Sequence, residues 1–183
     1  MEQPKIPKGM DLVLSPEQIS MIVKDMARNI DKDYEAVLLP QEKIVVMGVL
    51  NGAFIFMADL VRELKVPFEV DFIRLSSYQD ADTSSGQVVM LKAPEKPLKG
   101  RHILVVEDLA DCGLTLNWLM GFLQSREPAS VKIAVVVDKT ERKKVNIHLD
   151  YMGFQLKEGF LVGYGIDYAQ DYRNLKGIYK LIF

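Results

Sequence analysis

The hydrophobic positions of the chain form two kinds of pattern that follow one another. Short runs that are almost wholly apolar, or that alternate in polarity, have the length and spacing of β-strands. These runs occupy residues 43–50, 68–75, 102–109 and 130–139. Strands that are apolar on both faces are typical of parallel sheets that helices cover, so the runs predict buried strands.

Helical spacing fills the segments before and between these strands. Residues 16–27 carry apolar side chains about every 3.6 positions, and residues 51–64 and 114–125 repeat the pattern. The segment SPEQ at 15–18 has the sequence of a capping box with proline at the first helical position. Strands that alternate with helices predict an α/β fold, a mainly parallel twisted sheet with helices on both faces.

Two segments depart from this alternation. The polar and acidic segment 76–87 has the length of a lid or binding loop, and a flexible hairpin tip is the alternative. From residue 152 onward, aromatic residues and glycines are frequent and no long helix is predicted, which favours short strands and turns over the sheet's ligand edge. We expect one domain over 1–183, with a core at about 38–150, a small hood from about 1–15 and 152–183, and a mobile lid at about 76–87.

Composition narrows the possible partners. A net charge of -2 gives no electrostatic reason to expect nucleic acid. The sequence has no apolar run near the roughly 20 residues of a membrane span, and its first ten residues lack a signal-peptide core. The single cysteine, Cys112, excludes an internal disulfide and fits a reducing compartment. We therefore expect a cytoplasmic protein that binds neither nucleic acid nor membrane.

Three acids cluster where the strand at 102–109 ends. Glu107, Asp108 and Asp111 repel one another unless a cation or a polyol offsets their charge. Ligands of parallel sheets bind outside the carboxyl ends of the strands, where these acids lie. The next helix begins beside Gly113 and Thr115, and its first amides form an anion cradle. Acids next to a phosphate cradle predict a phosphorylated ribose as ligand.

Other interpretations of this cluster remain open at this point. The acids of a plain strand-to-helix junction favour the positive end of the helix dipole without binding anything. A receiver-type signalling domain also has acids at strand ends, but the run at 43–50 ends without the acidic pair that such a domain needs. Neither GxxxxGK[ST] nor GxGxxG occurs, so a Walker loop and a dinucleotide fingerprint are absent.

The segment ILVVEDLADCGLTL, at 103–116, resembles the phosphoribosyl pyrophosphate motif of type I phosphoribosyltransferases. Four further segments are similar, in the same order, to signature segments of hypoxanthine-guanine phosphoribosyltransferases: VMGVLNGAFIFMADL, FIRLSSYQDADTSSGQ, VVVDKTER and GFLVGYGIDYAQDYRNL. The resemblance extends from about residue 43 to 177. It implies transfer of phosphoribose from phosphoribosyl pyrophosphate to hypoxanthine or guanine, giving IMP or GMP and pyrophosphate. It also implies Mg²⁺ as cofactor and a homodimer or homotetramer.

The resemblance assigns the sugar and phosphate contacts to the acidic cluster. Glu107 and Asp108 would hold the ribose hydroxyls, directly or through Mg²⁺. Asp111 would face the purine N7 as general base or proton holder. The 5-phosphate would be wrapped by the whole turn, which consists of Asp111, Cys112, Gly113, Leu114 and Thr115.

The resemblance assigns the base to the strand ends farther along the chain. Lys139 would donate to the purine 6-oxo group, Phe160 would stack on the ring and the Leu161 backbone would contact its edge. Asp167 would lie beside the base and bind a Mg²⁺ that also contacts pyrophosphate. From the residues alone, Lys139 is also explained as a snorkelling surface lysine and Phe160 as a core aromatic.

Pyrophosphate would be held by Asn51, Gly52 and Arg173, although a surface ion pair also explains an arginine. The resemblance predicts a non-proline cis peptide at Leu50–Asn51. Ser77 and Tyr78 would close the lid over the reaction centre.

Three positions depart from the pattern of the family. Asn51 stands where many members have a basic residue, Cys112 replaces a usual threonine and Leu114 replaces a frequent lysine. Two other functions are therefore considered. One is a regulatory or RNA-binding protein on the same scaffold, for which KTERKK at 139–144 is the only basic cluster. The other is a xanthine-preferring transferase.

Overall fold

The computed structural model describes residues 6–78 and 87–183, without the side chains of 77, 78 and 87. Most of the predicted lid at 76–87, including the side chains of Ser77 and Tyr78, therefore lies outside the described residues. The elements are β1 (Gly9–Leu14), α1 (Pro16–Glu35), β2 (Ile44–Leu50), α2 (Phe54–Glu63), β3 (Phe68–Tyr78), β4 (Gln87–Lys92), β5 (His102–Ala110), α3 (Leu114–Gln124), β6 (Ser130–Lys139), β7 (Tyr151–Leu156), β8 (Phe160–Val162) and β9 (Ile178–Ile182).

Helix α1 begins as the capping box predicts. The Ser15 side chain accepts a hydrogen bond from the Gln18 N–H, at 3.3 Å, and the Gln18 side chain accepts one from the Ser15 N–H, at 2.8 Å. The two bonds satisfy amides that a helix start leaves without intrahelical partners. The apolar stripe then buries Ile19, Val23 and Met26 against the sheet.

Six strands form the main sheet in the order β4-β3-β2-β5-β6-β7. All neighbouring pairs are parallel except β3 with β4, which run antiparallel. The prediction of a mainly parallel sheet is therefore confirmed. Strand β3 continues to Tyr78, beyond the predicted end at 75, because pairing with β4 extends it.

Helices cover both faces of this sheet, as predicted. The side chains of β2, β5 and β6 alternate between two buried clusters. Helices α1 and α2 close the cluster on one face, and α3 closes the other with Leu116, Leu119 and Leu123. The central strands are thus buried on both sides, which accounts for their continuous apolar sequence.

A second, antiparallel sheet of three strands has the order β1-β9-β8. It joins residues 9–14 to residues 160–162 and 178–182. Strand β7 belongs instead to the main sheet, although the sequence analysis assigned residues from 152 to the hood. Helix α1 also packs on the main sheet. The core therefore begins earlier in the chain than the expected residue of about 38. Within the two described ranges, no helix is both long and apolar enough to cross a bilayer.

Candidate active site

The carboxyl ends of β2 and β5 are neighbours at one edge of the main sheet, because the two strands run parallel side by side. A cavity of about 460 Å³ opens at this edge. Its lining combines strand ends, the start of α3 and the loop after β8, and includes Asn51, Gly52, Glu107, Asp108, Asp111, Cys112, Gly113, Thr115, Ile166, Asp167 and Arg173. Within the predicted turn 111–115, Leu114 alone does not line this cavity.

Two carboxylates lie buried side by side in the cavity wall. Glu107 and Asp108 are each only 9% exposed, and the Asp108 N–H donates to Glu107 Oε1 at 3.3 Å. Burial raises the pKa of Glu107 well above its ordinary value, and the charge of Asp108 raises it further. Burial also raises the pKa of Asp108, against the lowering effects of its hydrogen bonds and of the Arg173 charge. The site therefore disfavours the charged forms of both carboxylates unless a cation compensates them.

The turn after these acids leads directly into α3. Gly113 has a φ of +81°, and a Cβ at this position would lie 2.6 Å from the Val145 carbonyl oxygen. The Cys112 carbonyl accepts hydrogen bonds from the amides of Lys144, at 3.0 Å, and Val145, at 3.4 Å. Only glycine satisfies both the backbone angle and the close approach. Gly113, Thr115 and Leu116 line the cavity, and the first amides of α3, which have no intrahelical partners, offer a site for an anion there.

The loop after β2 contacts the acids from the other side. The Leu50–Asn51 peptide bond is cis, as predicted. A Cβ on Gly52 would lie 2.1 Å from Asp108 Oδ2, so the loop backbone approaches the carboxylate directly. Gly165, with a φ of +100°, approaches the Gly52 carbonyl oxygen in the same way, at 2.1 Å for its would-be Cβ. These contacts bring three segments of the chain together, with backbone against backbone at Gly165 and Gly52 and backbone against the Asp108 carboxylate at Gly52.

Asp167 and Arg173, which the sequence analysis treated separately, form an ion pair of 2.7 Å. The Asp167 carboxylate also accepts a hydrogen bond from the Gln170 N–H at 2.9 Å, and Arg173 donates to the Gly165 carbonyl at 2.8 Å. Both side chains line the cavity. The arginine is 20% exposed, and it therefore belongs to the site rather than to an isolated surface ion pair.

Lys139 joins this cavity to a second one. Its Nζ lies 3.3 Å from Asp111 Oδ1, and the residue is only 5% exposed, which contradicts the snorkelling interpretation. Lys139 also lines a cavity of about 460 Å³ together with Glu141, Phe160, Tyr168 and Phe183. A buried ammonium is costly without a partner, so its position beside Asp111 gives it one.

Phe160 is 40% exposed and is not a core residue. Its ring meets Tyr168 edge-on, with centroids 4.9 Å apart, and Phe183, at 6.1 Å. Leu161 is buried, and its backbone pairs with Lys180 in the second sheet. The second cavity therefore combines an accessible aromatic ring with a buried cation.

Sequence reasoning missed several residues of these cavities. Tyr168 and Phe183 surround Phe160, and the amides of Lys144 and Val145 hold the turn at Cys112. The density of tyrosines at 164–172 was a signal for the aromatic contacts. No sequence pattern indicated the contacts of residues 144 and 145, because they depend on how the loop after β6 returns to the sheet.

The residues that suit a metal are few. Among the described residues, no group of three or more His, Cys, Asp or Glu side chains is placed to hold an ion. Mg²⁺, however, commonly uses one or two carboxylates and takes its other oxygens from phosphates and water. The adjacent carboxylates of Glu107 and Asp108, which both line the cavity, fit that requirement.

Comparison with known proteins places this geometry in a family. The family described as "Phosphoribosyl transferase domain" matches residues 11–169. Hypoxanthine phosphoribosyltransferase of Buchnera aphidicola is 38% identical over 172 residues, which cover 94% of this chain and 96% of that protein. Hypoxanthine-guanine phosphoribosyltransferase of Aquifex aeolicus is 39% identical over 174 residues, covering 95% and 96%. The solved hypoxanthine phosphoribosyl transferase of Trypanosoma cruzi superposes with a TM-score of 0.89 at 37% identity, covering 99% of this chain and 94% of that one. A match of this extent in sequence and structure shows that the chain belongs to the phosphoribosyltransferase family.

Proposed function

We propose that the protein transfers phosphoribose from phosphoribosyl pyrophosphate to hypoxanthine or guanine, releasing pyrophosphate and forming IMP or GMP. The observation that carries this proposal is the contact between Lys139 and Asp111. It places an acid-and-amide cavity, which suits a sugar phosphate, beside a cation-and-ring cavity, which suits a flat base. A nucleotide has both parts.

The sugar phosphate is assigned to the first cavity. Glu107 and Asp108 hold the ribose hydroxyls, either by accepting hydrogen bonds from them directly or through a bound Mg²⁺. The turn from Asp111 to Thr115 holds the 5-phosphate with its backbone amides and the Thr115 hydroxyl, which the positive end of α3 supports. Cys112 and Leu114 add no cation here, so the backbone supplies most of the binding.

Mg²⁺ is the proposed cofactor, held by Glu107 and Asp108, with Asp167 at a second position. When bound, it supplies positive charge that offsets the buried acids and neutralises pyrophosphate oxygens. Asn51 and Gly52 present their backbone to the pyrophosphate. Arg173 holds Asp167 in place through the 2.7 Å ion pair and lines the same cavity.

The base is assigned to the second cavity. Lys139 donates to the 6-oxo group, Phe160 stacks on the ring and the Leu161 backbone contacts the ring edge. Asp111 accepts the proton from N7 as the new bond to the anomeric carbon forms, a role that suits a carboxylate within hydrogen-bond reach. Ser77 and Tyr78 are proposed to close the lid and exclude water.

One observation weighs against a regulatory or RNA-binding protein on the same scaffold. Such a protein has no need for a lysine that is 5% exposed beside a ring that is 40% exposed. A xanthine-preferring transferase is distinguished by experiment. The homodimer or homotetramer and the cytoplasmic location remain predictions from the sequence.

The test measures pyrophosphate release from phosphoribosyl pyrophosphate and Mg²⁺ with hypoxanthine, guanine, xanthine or uracil in turn. Hypoxanthine and guanine are expected to support turnover. Asp111→Asn is expected to lower it about a hundredfold or more, within the usual range for loss of a general base. Asp25→Asn, at an exposed ion pair with Arg28, is the matched control. Turnover with uracil alone would overturn the proposal, and preference for xanthine would favour the alternative transferase.

A further inference from the structure

The loop between β6 and β7, residues 140–150, returns to the phosphate-binding turn. Amides of Lys144 and Val145 donate to the Cys112 carbonyl at 3.0 and 3.4 Å. The Val145 carbonyl oxygen lies where a Cβ of residue 113 would be, at 2.6 Å. The loop is therefore the outer wall of the turn.

This contact fixes the direction of a peptide group. The Cys112 C=O and the Gly113 N–H belong to one planar trans peptide and point in opposite directions. Because the loop binds the carbonyl, the Gly113 N–H points away from the loop, and Gly113 itself lines the cavity. Release of the carbonyl would leave this amide free to turn away from an anion in the cavity.

An ion pair with a buried carboxylate holds the loop in this position. The start of the loop is tied to the end of β7 and the residue that follows it, because the Thr140 N–H donates to the Leu156 carbonyl at 3.1 Å and the Glu141 N–H to the Lys157 carbonyl at 3.0 Å. Farther on, Lys143 Nζ donates to Asp138 Oδ2 at 2.8 Å, directly before the residues that contact Cys112. Asp138 is only 2% exposed and also accepts a hydrogen bond from Gln155 Nε2 at 3.2 Å.

Asp138 is poorly explained by stability alone. Within the described part of the chain, its Oδ1 is buried and has no hydrogen-bond partner. A buried carboxylate with an oxygen left unpaired costs free energy, and an apolar residue of similar size would avoid that cost. Asp138 binds Lys143, the residue directly before the two amides that contact Cys112. Its role is therefore to hold this loop rather than to stabilise the core.

We propose that Asp138 and Lys143 are positioning residues for the 5-phosphate of phosphoribosyl pyrophosphate. They contact no substrate. They hold the loop whose amides orient the Cys112–Gly113 peptide, and this peptide presents its N–H to the phosphate. The identity of the anion rests on the proposed function. The ordering of the turn by the loop rests on the contacts alone.

The test compares Lys143→Met with Lys132→Met. Lys132 lies near the start of β6, the strand that carries Asp138 near its end. It forms a 2.6 Å ion pair with Asp33 and has a side-chain exposure of 29%, against 28% for Lys143. We expect Lys143→Met to raise KM for phosphoribosyl pyrophosphate about tenfold, equivalent to 1.4 kcal/mol, with kcat changed less than twofold. Lys132→Met is expected to leave KM unchanged.

A second readout does not depend on turnover. Cys112 is the only cysteine of the chain, so its alkylation by iodoacetamide in the substrate-free protein reports on the turn. Release of its carbonyl is expected to speed alkylation about threefold or more in Lys143→Met and not in Lys132→Met. If the wild type turns over no purine, the proposed function fails, and alkylation still decides whether the ion pair orders the turn.

The double variant Asp138→Asn with Lys143→Met separates positioning from stability, because it also removes the buried charge. We expect it to regain thermal stability relative to Lys143→Met while the raised KM and fast alkylation persist. Recovery of all three together would show that the pair serves only folding and would overturn the proposal. Unchanged KM and alkylation in folded Lys143→Met would overturn it as well.

Discussion

Replacing Glu107 by glutamine is expected to make the protein more stable and less able to bind its substrate. The carboxylate is 9% exposed beside Asp108, and burial raises its pKa. Glutamine has nearly the same shape and keeps an oxygen to accept the Asp108 N–H, which now donates to Glu107 Oε1 at 3.3 Å. The substitution therefore removes a charge without removing the hydrogen bond.

The size of the gain follows from the cost of burial. An incompletely compensated buried polar group costs about 1 to 3 kcal/mol, so we expect the free energy of unfolding to rise by about that amount at pH 8. With a urea m-value of about 2 kcal/mol/M, the midpoint rises by about 0.5 to 1.5 M. The melting temperature rises by about 2 to 4 °C for each kcal/mol in a chain of this size.

The dependence on pH gives the expected gain a definite sign. Because the pKa of Glu107 is raised in the folded protein, the folded state binds its proton more tightly than the unfolded chain does. The destabilisation is fully present above the folded-state pKa and is lost as the pH falls toward the ordinary value of 4.5. The stability difference between Glu107→Gln and wild type should therefore shrink between pH 8 and pH 5.

Urea unfolding without Mg²⁺, followed by circular dichroism at both pH values, measures this difference. Glu63→Gln is the control, because Glu63 is exposed and a surface change is expected to stay within about 0.5 kcal/mol. Calorimetric titration with phosphoribosyl pyrophosphate and Mg²⁺ should show binding weakened at least about tenfold in Glu107→Gln, a loss of 1.4 kcal/mol. A variant that is less stable than wild type at pH 8, or whose difference does not change with pH, would refute the reasoning.

Three further substitutions test other contacts. Lys139→Met should reduce kcat/KM for hypoxanthine about 10- to 100-fold, which corresponds to the loss of a hydrogen bond to a charged group. The KM for phosphoribosyl pyrophosphate should stay within about twofold of the wild-type value. Equal losses for both substrates would contradict a role of Lys139 at the base. Gly165→Ala should lower the melting temperature and pyrophosphate affinity, because its φ is +100° and the added carbon would lie 2.1 Å from the Gly52 carbonyl oxygen; a fully stable variant would contradict the close contact. Tyr164→Phe should lower the free energy of unfolding by about 1.5 to 3 kcal/mol, because the buried hydroxyl donates to Asp59 Oδ2 at 2.7 Å. An unchanged free energy of unfolding, measured with denaturant, would contradict this expectation.

Local signals in the sequence were sufficient for much of the fold. The capping box at 15–18 and the apolar strands depend on neighbouring residues, and the structure has both. Strand β1 was missed because residues 9–13 are exposed or only partly buried and carry no clear alternation. It becomes a strand through pairing with β9, about 170 residues away in sequence.

The same distinction applies to the candidate site. Glu107, Asp108 and the turn that follows were identified because their chemistry is contiguous in the sequence. The ion pair of Asp167 with Arg173 and the contact of Lys139 with Asp111 depend on how separate segments meet. Sequence patterns can identify such residues individually, but they do not predict which of them are in contact.

The Lys139–Asp111 contact has a consequence for inhibitor design. It stands between two cavities of about 460 Å³ each. A fragment confined to one cavity leaves the ion pair in place. A compound that spans both cavities separates Lys139 from Asp111 and must therefore offer each of them a new partner. If its linker matches the gap, the second half binds at a high effective concentration, and affinity can exceed that of either half by orders of magnitude. Linked fragments, with a donor toward the carboxylate and an acceptor toward the ammonium, are therefore the chemistry that this site favours.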